Sequence, residues 1–150
     1  MSRLKASRGF TLLELVIVLA IGVTMYALLL SAPFGKVSAG DLKAAARQIA
    51  SGLRTAQSTA MATRRDALLT LDMDSREFVT TGEPQVRRLP SNIDLKLFTA
   101  QTEVESEHRG SIRFYPDGSS TGGRVTVGSG ERKFLVDVDW LTGRVAINDE

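Results

Sequence analysis

The chain has 150 residues, 43% of them hydrophobic, with no cysteine and one histidine. Without cysteine there is no disulfide framework and no thiolate chemistry, and a lone histidine argues against a histidine-built metal centre. The sequence pI of about 9.2 looks basic, but Arg3, Lys5 and Arg8 take three of the 19 Lys and Arg, and Glu14 takes one of the 17 Asp and Glu. That leaves 16 of each after residue 30, and so no net field to draw nucleic acid or anionic lipid.

The first predicted element follows that basic start. Gly9-Phe10-Thr11-Leu12-Leu13-Glu14 opens an apolar run to Leu30 whose only charged side chain is Glu14. About 21 residues at 1.5 Å each make a helix of about 31 Å, enough for a bilayer core. The basic flank stays cytoplasmic, so the remainder faces outward. A cleaved secretory signal fits poorly, because Leu29 or Leu30 would occupy the −3 position and the run is too long. A plain signal anchor accounts for the length but not for a carboxylate at the membrane edge, which is costly and marks function.

Ser31 to Gly40, with Pro33, Gly35 and Gly40, is a soft point where Pro33 would bend the helix. From Asp41 a helical stripe resumes through Leu42, Ala46, Ile49, Leu53, Ala56 and Ala60, with Lys43, Arg47 and Arg54 off it. A continuous helix from Phe10 to Arg65 would be about 84 Å long. After Arg65 the period becomes two. Ala67, Leu69, Leu71 and Met73 alternate with Leu68, Thr70 and Asp72, and Asp74-Ser75-Arg76 turns back through Phe78 to Thr81. Ile93, Leu95 and Leu97 mark a half-buried strand, and Thr102 to Arg109 a mobile loop or edge strand. Ile112 and Phe114, Arg124 to Val127, Lys133 to Val138 and Arg144 to Ile147 are further strands separated by Gly turns. The expected fold class is α+β: a long N-terminal helix packed on an antiparallel β-sandwich or folded sheet.

Residues 8–15, Arg-Gly-Phe-Thr-Leu-Leu-Glu-Leu, resemble the start of the type IV pilin and pseudopilin class. The resemblance implies a leader 1–9, prepilin peptidase cleavage between Gly9 and Phe10, N-methylation of Phe10, and an assembly role for Glu14. The divisions are then 10–30 for the transmembrane and assembly half of the helix, 31–65 for its amphipathic continuation and 66–150 for a periplasmic β domain. Cleavage frees an amine one helical turn before Glu14, at i to i+4 spacing. Glu14 then pairs with that amine, with the amine of a neighbouring subunit, as the resemblance favours, or simply complements the helix N-terminus.

Two later segments narrow the resemblance. Ile112-Arg113-Phe114-Tyr115-Pro116-Asp117-Gly118 through Gly123, and Val138-Asp139-Trp140-Leu141-Thr142-Gly143-Arg144-Val145, are similar to segments of the pseudopilin H group of type II secretion and its minor type IV pilin relatives. The calcium loop of the major pseudopilin is not present, and the lack of cysteine leans toward the secretion relatives. The resemblance implies a minor subunit near the tip of a pseudopilus that assists export of folded proteins. Its implied partners are other minor pseudopilins, the major pseudopilin, prepilin peptidase and inner-membrane lipid. The alternatives are a minor pilin of a type IV pilus, including the DNA-uptake kind, and a signal-anchored periplasmic enzyme or binding protein.

Catalytic and cofactor readings do poorly. His108 sits in a polar stretch without a ligand partner. Asp72 with Asp74, and Asp137 with Asp139, lie two apart as on a strand's polar face, which leaves only weak calcium binding open. The Asp117 to Gly123 loop lacks the Lys and the following helix of a phosphate loop. No cofactor, no metal and no nucleic acid are expected.

Overall fold

The computed structural model describes residues 11–31 and 38–149, the side chains of 28–31 excepted. The expectations at Gly9, Phe10 and Pro33 lie outside the described residues. The chain divides into two compact units, Met1–Gly35 and Lys36–Glu150.

In the first unit, α1 (Leu12–Ser31) is a 20-residue helix. Every described large apolar side chain from Leu12 to Tyr26 is at least 50% exposed, so the helix is apolar all round rather than on one face. Among the described residues no helix is long and apolar enough to cross a membrane. The expected span begins at Phe10 and ends within 28–31, beyond the side chains described.

The second unit opens on α2 (Ala39–Thr63). Ser38 has extended backbone (φ −72°, ψ 155°) and closes a capping box with Asp41. Asp41 N–H donates to Ser38 Oγ and Ser38 N–H to Asp41 Oδ2, each at 3.1 Å. These bonds satisfy amides that would otherwise be orphaned, so the helix starts afresh at Ala39. As described, α2 is a capped helix of 25 residues, about 37 Å long; the junction on which the 84 Å length depends lies outside the described residues. The helix stops when Arg64 turns left-handed at φ 53°.

The buried stripe of α2 comprises Leu42, Ala45, Ala46, Ile49, Ala50, Leu53, Ala56 and Ala60. Two antiparallel sheets pack on it. The first joins β1 (Ala67–Asp72), β2 (Glu77–Thr80), β3 (Glu83–Arg88), β5 (Val104–Ser106) and β6 (Arg109–Phe114) in the order β3-β2-β1-β6-β5. The second joins β4 (Asp94–Thr99), β7 (Gly123–Ser129), β8 (Arg132–Val138) and β9 (Val145–Asp149) in the order β4-β7-β8-β9.

Strict alternation sets the faces: Ala67, Leu69 and Leu71 are buried while their neighbours are half-buried. They pair with Phe114, Ile112 and Gly110. Val125 and Val127 face the same core from β7, and Val136 and Val138 from β8. Helix and sheets approach closely at Gly52, where a Cβ would meet Phe78 Cε2 at 2.8 Å and Leu69 Cδ1 at 2.9 Å. The polar stretch 102–109 resolves into a short 3-10 turn (Gln101–Glu103) and the edge strand β5.

Candidate assembly site

The functional side chain the sequence singled out, Glu14, occupies the first turn of α1. Leu15 N–H donates to Thr11 O at 3.2 Å, the first helical bond, and Glu14 N–H donates to Thr11 Oγ1 at 3.2 Å. Thr11 is therefore the N-cap and Glu14 the third helical residue, the Thr-x-x-Glu spacing of a capping box. That signal stood in the sequence and was missed. A carboxylate here faces the positive end of the helix dipole, on a helix whose remaining described surface is exposed and apolar. Such a helix offers an apolar surface to lipid or other helices and carries one charge in its first turn.

The other residues weighed for chemistry are occupied within the domain. His108 Nδ1 lies 3.7 Å from Asp74 Oδ1, both exposed. Asp72 Oδ1 accepts from Ser75 N–H, and more weakly from Asp74 N–H, which holds its carboxyl below the ordinary value of 3.8. Asp137 is paired with Arg124 and accepts from Asn148 Nδ2 at 2.9 Å. Asp139 Oδ1 accepts from Thr142 Oγ1 at 2.7 Å and from the amides of Thr142 and Leu141, and these bonds lower its pKa. Among the described residues no three His, Cys, Asp or Glu gather in a way that would hold a metal ion.

The glycine-rich loop is a closed turn rather than an anion cradle. Each main-chain N–H from Gly118 to Gly122 donates within the domain: to Tyr115 O, Asp117 Oδ1, Trp140 O, Arg113 O and Ser120 Oγ in that order. None is left to face a phosphate. Ser119 Oγ donates to Asp117 and Ser120 Oγ to Arg113 O, so neither hydroxyl meets an imidazole base.

The adjacent Arg87 and Arg88 are neutralised locally. Arg87 pairs with Glu83 and Arg88 with Glu77. Of the three glutamates before Arg109, Glu105 pairs with Arg109 at 3.0 Å, whereas Glu103 turns inward to Arg113. Asp66, next to Arg65 in sequence, lies 3.5 Å from Arg113.

Comparison with known proteins agrees with this architecture. The family model for Type II transport protein GspH matches residues 45–142, and the model of the prokaryotic N-terminal methylation motif matches residues 4–25. The chain is 32% identical over 139 residues to the Type II secretion system protein H of Xanthomonas campestris pv. campestris, covering 92% of this chain and 81% of that one. The fold is similar to the type IV minor pilin FimU of Pseudomonas aeruginosa, with TM-score 0.57 and 12% identity over 73% of this chain and 89% of that one. It is also similar to the minor pseudopilin EpsH from the Type 2 Secretion System of Vibrio cholerae, with TM-score 0.56 and 12% identity over 73% and 97%. At that identity the solved structures speak for the fold alone. The family match and the 32% relative, taken with the capped apolar helix and the two-sheet domain, make this chain a member of the Type II transport protein GspH family.

Proposed function

We propose that the chain is a minor pseudopilin, a structural subunit near the tip of a type II secretion pseudopilus that assists export of folded proteins across the outer membrane. The observation that carries this reading is α1. An apolar, all-round exposed helix has Glu14 in its first turn and a methylation motif across residues 4–25. In this reading prepilin peptidase cuts between Gly9 and Phe10 and the new amine on Phe10 is methylated. The helix then sits in the inner membrane as a single pass, with the domain after it in the periplasm. Its partners are other minor pseudopilins, the major pseudopilin and membrane lipid. The protein works by packing and contact, without turnover, cofactor or metal.

Mass spectrometry of the membrane form is the test. The expected mature chain begins at N-methylated Phe10. An intact Met1, or a start near Pro33, overturns the reading. The fold likeness to a type IV minor pilin favours one second reading, a minor pilin of a type IV pilus. Secretion genes or pilus genes beside this one separate the two.

A further inference from the structure

The two segments that carry the later resemblance play no part in α1, and the structure joins them through one helix side chain. Gln57, half-buried on the flank of α2, donates from Nε2 to Gly118 O at 2.9 Å and to Thr142 O at 3.1 Å. An amide nitrogen has two protons, and each goes to a different turn. Those turns lie 61 and 85 residues along the chain. They also meet each other, Ser120 N–H donating to Trp140 O at 2.9 Å. One helical turn earlier, Arg54 Nη2 donates at 3.2 Å to Val145 O, where the second turn enters β9.

The second turn approaches this amide too closely for a side chain at Gly143. Gly143 is left-handed at φ 62°, and a Cβ there would meet Gly118 O and lie 2.5 Å from Gln57 Nε2. Each turn is also stiffened from within. Asp117 caps the first through Ser119, and Asp139 caps the second through Leu141 and Thr142. At the tip stand Trp140 and Leu141, 66% and 63% exposed.

We infer that Gln57 is a positioning residue whose amide couples the turns 115–122 and 139–144 into a single body on α2, with Trp140 at its tip. Without that amide the two turns would keep the Ser120–Trp140 main-chain bond, the close approach of Gly122 to Trp140 and the Gly123–Val138 pairing at their base, but no side chain of α2 would tie their outer carbonyls together. With it, loosening one loosens the other. The tip keeps one geometry, and so has less conformational entropy to lose on contact.

Trp140 is the only tryptophan of the chain, so its fluorescence reports the tip directly. The test uses the full chain in detergent micelles and the isosteric Gln57→Glu, which at neutral pH has no proton to donate. Expected are a fall in Trp140 anisotropy and a rise in amide exchange at Ser120 and at Gly143 by similar factors, roughly tenfold, as loss of two hydrogen bonds implies. Exchange at Leu69 and Ile112, in the buried strands β1 and β6, stays unchanged. If Gln57→Glu does not fold, Gln57→Met, neutral and of similar length, carries the same expectations. Loosening of one turn only, of neither, or of the buried strands together with the turns would overturn the coupling.

Discussion

Arg113 grips Glu103 through two nitrogens, Nε to Oε1 at 3.0 Å and Nη2 to Oε2 at 3.1 Å. The Glu103 side chain is 8% exposed and the Arg113 side chain 31%. These hydrogen bonds push the pKa of Arg113 further up against the opposing effect of burial. The fork holds the 3-10 turn before β5 onto β6, so the edge of the first sheet is fastened by charge rather than apolar packing.

Removing Glu103 leaves a guanidinium partly buried beside a weaker partner. Glu103→Ala is expected to cost about 2 kcal/mol, below a fully buried pair because Arg113 still reaches water. Asp66, 3.5 Å away and 46% exposed, should matter far less, within about 0.5 kcal/mol for Asp66→Ala. Urea unfolding of both variants checks the contrast. Equal losses would mean that the fork is no more than a surface pair.

A second prediction concerns the closest approach of helix to sheet. Gly52→Ala would set a methyl 2.8 Å from Phe78 and 3.0 Å from Thr80 Oγ1. The expected cost is about 1–3 kcal/mol, even though alanine is the better helix former. Thr80 Oγ1 itself is buried with no hydrogen-bond partner among the described residues. Thr80→Val, nearly the same shape, should therefore stabilise the domain by up to about 1 kcal/mol. Thermal melts of the two variants should move in opposite directions.

The third prediction is a pH dependence. Bonds from Ser75, Ser119 and Thr142 lower the pKa of Asp72, Asp117 and Asp139 respectively below the ordinary 3.8. A carboxyl lowered in the folded state stabilises it above the ordinary value, and that contribution is lost as pH falls through the lowered one. The urea midpoint should thus be flat from about pH 7 to pH 5 and fall below about pH 4. Asp139→Asn keeps an acceptor oxygen but cannot titrate, so its acid fall should be shallower. An unchanged fall would assign the acid sensitivity elsewhere.

What could be read from the sequence divides along one physical line. Elements that bury a face carry a period, so the stripe of α2 and the alternation of β1 and β6 to β9 were visible. The edge strand β3 buries little. β3, Glu83-Pro84-Gln85-Val86-Arg87-Arg88, has no apolar alternation, and Pro84 argues against a strand, so it went unseen. Neighbourhood in sequence does not reveal charge pairing: Asp66 follows Arg65, whereas the fold pairs Arg113 with both Asp66 and Glu103. At the candidate site Glu14 was found from its charge in an apolar run. The Thr11 cap and the Ser38-Asp41 box were legible as spacings but not read. Gln57 gave no signal at all, because its partners are main-chain carbonyls far along the chain.

Nucleic acid provides the fourth test. Arg87, Arg88, Arg109, Arg113 and Arg124 each pair with a carboxylate of the same domain. Phosphate contacts need cations free to exchange partners, since counterion release supplies most non-specific affinity. Binding to duplex or single-stranded DNA should be no tighter than about 10⁻⁴ M at physiological salt. A polarisation titration checks it. Micromolar binding that weakens steeply with salt would move the function toward DNA uptake.

The last prediction returns to Glu14. Its backbone amide is held by Thr11 Oγ1, so the cap and the carboxylate can be separated by mutation. Thr11→Ala removes the cap, worth about 1 kcal/mol of helix stability, and leaves the charge. Glu14→Leu removes the charge and leaves the cap. If the carboxylate pairs with the amine freed at Phe10, its own or that of a neighbouring subunit, losing it strands a cation in a low dielectric. Glu14→Leu should then insert and be processed normally, yet crosslink to partner subunits in membranes about tenfold less or worse, as an unpaired buried charge demands. Thr11→Ala should crosslink as the parent does. Equal crosslinking by both variants and the parent would reduce Glu14 to a partner of the helix dipole, worth only about 0.3–1 kcal/mol. The register of the assembly would then have to come from another residue.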